Sequence, residues 1–124
     1  MKLLLDTQAF LWWMSNSPRL SRAAEEAISD PANQVLFSVA SAWEISIKRA
    51  LGKLKAPEDL AGAIEAESFD LLGIELSHIA ALDHLEHHHR DPFDRMLIVQ
   101  SFVERATLVS GDAVFQRYGT VLLW

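Results

Sequence analysis

Four acidic residues lie where the sequence pattern predicts strand ends or helix starts: Asp6, Glu44, Asp94 and Asp112. Carboxylates gathered at one place repel one another and raise each other's pKa unless a cation lies between them. Oxygen ligands in a chain without cysteine favour Mg²⁺ or Mn²⁺ over zinc. Such ions polarise phosphates and activate water for in-line attack. If the fold brings these residues together, they predict metal-assisted cleavage of phosphodiester bonds.

Each carboxylate also has an ordinary structural explanation. Asp6 suits a helix N-cap, and Asp112 suits a turn. Glu44 follows Ser41 by three positions, which is the spacing of a capping box, and Asp94 suits the negative charge favoured in a first helical turn. Only their convergence would indicate a site.

The elements that must position these acids alternate along the chain. Short apolar runs predict strands over residues 2–5, 34–37, 70–74, 107–109 and 120–123. Amphipathic or capped segments predict helices from Thr7 onward and over residues 22–29, 38–51, 77–86 and 91–105, with another helix opened by Pro57. This alternation predicts one three-layer α/β domain over residues 1–124, with a five-stranded parallel sheet flanked by helices. Ligands of such sheets bind outside the carboxyl ends of strands where strand order reverses. All four acids would meet there if the first and fourth strands are neighbours.

Composition excludes little. The chain has 124 residues, a net charge of −6 and no cysteine, and it has no apolar run long enough to span a membrane. We expect a cytoplasmic protein without a membrane partner. The acidic charge argues against a nucleic-acid ligand, but removing the four clustered acids from the seventeen leaves thirteen against eleven basic residues. Four of those basic residues, Lys48, Arg49, Lys53 and Lys55, follow Glu44 with no acid among them.

Four segments carry a resemblance to a known family: residues 5–7, 38–45, 89–98 with Asp-Pro-Phe-Asp-Arg, and 108–112. They resemble the PIN-domain family, and most of all its VapC-type toxins of toxin–antitoxin pairs. The resemblance covers essentially the whole chain. It implies an Mg²⁺- or Mn²⁺-dependent endoribonuclease inhibited by a small antitoxin, with Asp6, Glu44, Asp94 and Asp112 as catalytic and metal-binding residues. Ser110 would keep a small hydroxyl near the metal and contact the substrate, whereas Asp91 is read as the cap of the helix that carries Asp94.

Several other residues invite interpretation. His87, His88 and His89 would point in different directions on a helix, which argues against zinc. A loop at the rim is expected instead, where His88, His89 and Arg90 could touch RNA. Lys48 could pair with Glu44 or follow the RNA backbone, and Trp43 is expected in the core.

The apolar run Phe10–Met14 would encircle a helix, so part of it should stay exposed and form a homodimer contact, a groove for an antitoxin helix, or both. Two other functions fit the sequence less well. A PIN fold that only binds, without catalysis, would be expected to lack one of the acids, and none is missing. A receiver domain of two-component signalling would need a late lysine near its acids, and the last lysine here is Lys55.

Overall fold

Short strands and helices alternate along residues 1–124, all of which the computed structural model describes. The strands are β1 (Lys2–Leu5), β2 (Gln34–Ser38), β3 (Asp70–Leu72), β4 (Thr107–Val109) and β5 (Leu122–Leu123). The helices are α1 (Thr7–Met14), α2 (Arg22–Ser29), α3 (Val39–Ala50), α4 (Leu60–Ala66), α5 (Leu76–Leu82) and α6 (Pro92–Val103), with a 3₁₀ helix over Ala113–Tyr118.

The strands form one parallel sheet in the order β3-β2-β1-β4-β5. Leu5 of β1 pairs with Phe37 on one side and with Val109 on the other. The chain builds β1, β2 and β3 outward in one direction and then returns to add β4 and β5 on the opposite side. Strand order therefore reverses between β1 and β4, which confirms the predicted sheet and its adjacent first and fourth strands.

Both faces of the sheet are covered, which explains why its strands are apolar throughout. Leu3 and Leu5 pack into a cluster with α1, α2 and residues of α3 and α4. Leu4, between them, points to the other face and packs with Leu97 and Ile98 of α6 and with Phe115 of the 3₁₀ helix. Because successive side chains of a strand point to opposite faces, this short strand holds the two layers of helices on the sheet.

Local capping explains which helix boundaries were predictable. Ser21 caps α2 by accepting the Ala24 N–H, and Gly52 follows α3 with a φ of 69°, as expected for a C-terminal glycine. The predicted starts of α4 and α5 were wrong. Asp59, not the segment at Pro57, caps α4 by accepting the Gly62 N–H. The N-cap of α5 is Glu75, whereas the helix was predicted to start at Ser77.

The run Phe10–Met14 is covered more completely than its sequence suggests. Phe10 is fully buried, while Trp12 and Trp13 are half-buried on different sides of α1. The Trp12 ring lies 5.8 Å from that of Trp124, and the Trp13 ring lies 6.3 Å from that of Phe69. The chain's own residues thus cover much of both indoles.

Four exposed apolar residues instead form a row along α3 and its C-cap, where every fourth position faces solvent. The expectation that Trp43 is a core residue was wrong, because 61% of it is exposed and its ring packs edge-on against Phe93 at 5.3 Å. We call this row the α3 stripe; it consists of Val39, Trp43, Ile47 and Leu51.

None of the helices combines the length and hydrophobicity that crossing a bilayer requires.

Candidate functional site

One open cavity of about 510 Å³ lies where the strand order reverses, next to the ends of β1 and β4. All four acids singled out in the sequence contribute to its lining, and Asp91 is a fifth. The other polar and aromatic lining residues include Thr7, Gln8, Trp12, Arg19, Lys48 and Trp124. The four acids therefore converge on one cavity, as the sequence predicted for a sheet in which the first and fourth strands are neighbours.

Asp6 is held at the junction of β1 and α1. Its backbone N–H continues the sheet by donating to the Val109 carbonyl at 3.1 Å. Its carboxylate caps α1 by accepting the Ala9 N–H at 2.7 Å. The pKa of Asp6 is raised to about 6, chiefly by burial and also by the nearby Asp94 and Asp112, against the lowering effect of hydrogen bonds from Ser110 and Ala9. The capping role and the place in the acid cluster therefore coexist in one side chain.

Glu44 reaches the cavity from the middle of α3, not from its start. The expectation that it begins a helix as part of a capping box was wrong, since Ser38 is the N-cap and Glu44 is the sixth residue of α3. Its carboxylate is buried and accepts hydrogen bonds from the Thr7 hydroxyl and from Lys48 Nζ, both at 2.6 Å. The bond to Glu44 raises the pKa of Lys48. The predicted Glu44–Lys48 helix ion pair is therefore present, with Lys48 at the edge of the cavity.

The start of α6 brings Asp91, Asp94 and His89 together. Asp91 caps the helix through one oxygen, Oδ1, which accepts the N–H groups of Phe93 and Asp94 at 2.8 and 3.0 Å. His89 Nε2 lies 2.8 Å from Asp94 Oδ2. Burial raises the pKa of Asp94 to about 6, helped by Asp91 and Glu44 and opposed by His89. One donor atom from each of the three side chains lies within 4.8 Å of the others, a spacing that suits a shared cation.

The segment after β4 supplies the remaining wall. Asp112 is exposed and caps the 3₁₀ helix by accepting the Val114 N–H at 3.0 Å. Ser110 is 2% exposed, accepts the Asp112 N–H at 3.0 Å and bonds Asp6. Gly111 lies under the Trp124 ring so closely that an added Cβ would be 2.7 Å from Trp124 Cε2. A side chain at position 111 would therefore displace the indole or the loop that carries Asp112.

The rim residues lie in a loop between α5 and α6, so the helical geometry used against a shared histidine site does not apply to them. His88 lies 2.6 Å from Glu86 through Nε2, and its backbone N–H donates to the Tyr118 hydroxyl. A second, shallower cavity is lined only by His87, His88, His89, Arg90 and Arg95. The predicted rim loop thus presents a basic surface, except that His89 turns toward Asp94.

Some residues of the cavity were missed in the sequence. Thr7 is one of them, although a hydroxyl directly after a strand-ending acid was a usable signal. Three others, Trp12, Arg19 and Trp124, belong to no motif that contains one of the four acids, so nothing local indicated that they would line the same space. The cavity therefore has basic and aromatic side chains in its lining that the positions of the acids did not predict.

Comparison with known sequences gives one family match. A sequence model of the PIN domain family matches residues 3–121 of the chain. No curated protein is similar enough in sequence to be matched.

Solved structures share the fold at low sequence identity. A chain of VapBC2 from Rickettsia felis, bound to a DNA fragment from its promoter, has a TM-score of 0.66 at 14% identity, covering 98% of this chain and 97% of that one. VapBC-1 from nontypeable Haemophilus influenzae has a TM-score of 0.60 at 21% identity, covering 94% of this chain and 92% of that one. A toxin–antitoxin complex from Klebsiella pneumoniae has a TM-score of 0.58 at 15% identity, covering 89% of this chain and 86% of that one.

Proposed function

Because the chain belongs to the PIN domain family, we propose that it is a metal-dependent endoribonuclease, the VapC-type toxin of a toxin–antitoxin pair. The observation that carries this proposal is the convergence of five carboxylates on one cavity. Two of them, Asp6 and Asp94, have pKa values raised to about 6. Such an arrangement is unfavourable for the fold alone and is explained by a cation that neutralises it.

The donor set fits Mg²⁺ or Mn²⁺. The ligands would come from Asp6, Glu44, Asp94 and Asp112, with Asp91 added by the structure, and carboxylate oxygen is the donor these ions prefer. Basic partners are too few to neutralise the cluster, since Lys48 binds Glu44 and His89 binds Asp94. When bound, the ion supplies charge stabilisation at the scissile phosphate and lowers the pKa of water for attack.

The chain's own residues then orient the reacting groups. Thr7 and Lys48 fix both oxygens of Glu44, and the Ala9 N–H fixes Asp6. Ser110 is buried, so we assign it to positioning Asp6 and Asp112 and not to direct contact with substrate. Because these partners are in place before substrate arrives, the carboxylates need little reorganisation during the reaction.

RNA is the proposed substrate because the acids are surrounded by groups that suit a polynucleotide. Arg19 and Lys48 line the same cavity and can neutralise backbone phosphates. Trp12 and Trp124 add aromatic surface on which an unpaired base can stack. The adjacent rim, with His88 and Arg90, extends the basic surface. Single-stranded or loop RNA would therefore lie across the cavity, with its scissile phosphate at the acids.

The antitoxin partner is proposed from the fold neighbours, which are components of toxin–antitoxin complexes. A cavity of about 220 Å³ beside α1 is lined by Trp12, Trp13 and Leu20, with Glu25 and Glu67 among the polar residues around them. An amphipathic antitoxin helix could anchor an apolar side chain there. Trp12 also lines the acid cavity, so a segment docked on α1 lies within reach of the acids and can block them.

A homodimer is proposed through the α3 stripe. Residues four apart form a ridge on a helix, and such ridges interdigitate with those of a second helix. A two-fold axis across α3 would place the same stripe on both sides of the interface. Trp43 at its centre provides the aromatic surface typical of interface cores.

The test of the nuclease proposal is cleavage of a defined single-stranded RNA by the purified chain. Cleavage should require Mn²⁺ or Mg²⁺ and stop with EDTA. Asp6→Asn and Asp94→Asn should remove nearly all activity while the far-UV circular dichroism stays unchanged. Asp83→Asn, an exposed acid at the end of α5, is the matched control and should cut like wild type. Undiminished cleavage in EDTA would refute the mechanism, and RNA binding without cleavage in either metal would identify a binding module instead.

A further inference from the structure

His89 occupies a position that neither its sequence neighbours nor the rest of the basic rim share. Its Nε2 atom lies 2.8 Å from Asp94 Oδ2, and both side chains are partly buried. His87 in the same loop is exposed and makes no polar contact, whereas His88 turns to Glu86 and Tyr118. Of the three consecutive histidines, His89 alone contacts one of the cavity's acids, Asp94, which it approaches from the side of the neighbouring basic rim.

Three side chains around His89 are arranged so that one atom from each can meet a single ion. The donor atoms of His89, Asp91 and Asp94 lie within 4.8 Å of one another. Asp91 uses only Oδ1 to cap α6, which leaves Oδ2 free. Asp94 uses only Oδ2 toward His89, which leaves Oδ1 free. The capping bonds therefore hold the carboxylates in place without using the oxygens that an ion would need.

We propose that His89 is itself a ligand of the catalytic metal, together with Asp91 and Asp94. The proposal rests on the proposed metal-dependent function and adds a nitrogen donor to an otherwise all-oxygen site. If the ion displaces the proton between Nε2 and Asp94 to solvent, a neutral imidazole with its proton on Nδ1 offers the lone pair of Nε2 to the cation. Imidazole binds transition metals well, whereas Mg²⁺ prefers oxygen ligands. The site accordingly selects Mn²⁺ over Mg²⁺, and His89 is the residue that determines this selectivity.

The competing explanation is that His89 only donates a hydrogen bond that positions Asp94. The two roles differ in what they predict for the two metals. A positioning residue affects Mg²⁺ and Mn²⁺ binding alike, because both ions use the same Asp94. Loss of a direct nitrogen ligand chiefly weakens Mn²⁺ binding. It also leaves a nuclear-spin coupling between nitrogen and the bound Mn²⁺ that can be measured without any enzymatic assay.

The experiment is pulsed electron paramagnetic resonance of the full chain loaded with Mn²⁺. Wild type should show coupling to a directly bound nitrogen, and ¹⁵N labelling of histidine alone should convert that signal to the ¹⁵N pattern without any substitution. His89→Gln, which keeps a hydrogen-bond donor for Asp94, should lose the signal, and His87→Gln should keep it. In calorimetric titrations His89→Gln should weaken Mn²⁺ binding by ~10-fold or more and Mg²⁺ binding much less.

The outcomes separate this proposal from the function on which it rests. Bound Mn²⁺ without histidine nitrogen coupling in the labelled wild type would overturn the ligand assignment and leave the metal-dependent nuclease intact. Equal losses of Mg²⁺ and Mn²⁺ affinity in His89→Gln would overturn it as well. If wild type binds neither ion at millimolar concentration, the metal-dependent function itself fails.

Discussion

The Thr7 hydroxyl donates a hydrogen bond of 2.6 Å to Glu44 Oε1 and also lies 3.0 Å from the Ser41 hydroxyl. It thereby ties the first residue of α1 to the middle of α3. Lys48 holds the other oxygen of the same carboxylate. Glu44 is thus fixed from both sides in the orientation that faces Asp94, whose pKa it helps to raise.

Thr7→Val should lower RNA cleavage by about tenfold, because a hydrogen bond to a charged group contributes roughly 1.5–3 kcal/mol and its loss frees Glu44 to move. Although the side chain keeps its shape, the loss of a hydrogen bond to a buried carboxylate should also lower the melting temperature by a few degrees, so cleavage is compared well below the unfolding transition. Thr107→Val on β4, whose hydroxyl makes no hydrogen bond, is the matched control. Steady-state cleavage rates of both variants decide the matter, and a wild-type rate for Thr7→Val would show that Glu44 needs no such support.

Asp94→Asn should raise the stability of the metal-free protein, because it removes one charge from the repelling cluster. It should also remove the stabilisation by metal, which for wild type amounts to about 2.7 kcal/mol at 100 times the Kd. Thermal denaturation in EDTA and in saturating Mn²⁺ measures both effects. Asp83→Asn should behave as wild type in both. A variant that is no more stable in EDTA and still responds fully to Mn²⁺ would mean that Asp94 lies outside the metal site.

The pKa of Asp6 gives a pH dependence of definite sign. Its value of about 6 in the fold lies above the ordinary 3.8, so the folded state holds the proton more tightly than the unfolded chain. Without metal, the free energy of unfolding therefore loses a contribution of up to ~3 kcal/mol as pH rises from about 4 to 7. Asp94 acts in the same direction.

Asp6→Asn isolates this contribution, because the amide oxygen can still accept the Ala9 N–H and cap α1. Urea denaturation in EDTA should give nearly equal stabilities for variant and wild type at pH 4. At pH 7 the variant should be the more stable protein. A difference that is the same at both pH values would show that Asp6 is ionised throughout and that its burial costs little.

Ile47→Lys should break the proposed homodimer, because it places a charge in the centre of the α3 stripe. Ile79→Lys on α5 is the matched control, since the two isoleucines are 39% and 43% exposed. Sedimentation equilibrium should show a dimer for wild type and the control, and a monomer for Ile47→Lys. A monomeric wild type would show that the chain does not form the proposed homodimer. A dimer that persists in Ile47→Lys would show that the subunit interface lies outside the α3 stripe.

Much of the fold follows from local and periodic features of the sequence. Runs such as Leu3-Leu4-Leu5 are apolar on both faces, which only a sheet covered on both sides can accommodate. Short-range caps such as Ser21 and Asp91 set helix starts through bonds to residues two or three positions away. Acids placed just after strands then had to meet once β1 and β4 proved to be neighbours, because parallel strands end at the same edge.

Other features depended on contacts between distant parts of the chain. Glu44 was expected at a helix start, and it reaches the cavity only because α3 crosses α1 at Thr7. The rim loop owes its shape to Arg95, which donates to the Glu86 carbonyl, and to Tyr118, which accepts the His88 N–H. These contacts turn His89 toward Asp94. Sequence by itself determined the layers of the fold and the acids at the strand ends. The tertiary structure decided which further side chains join them, because loop conformation and helix crossing depend on packing between residues far apart in sequence.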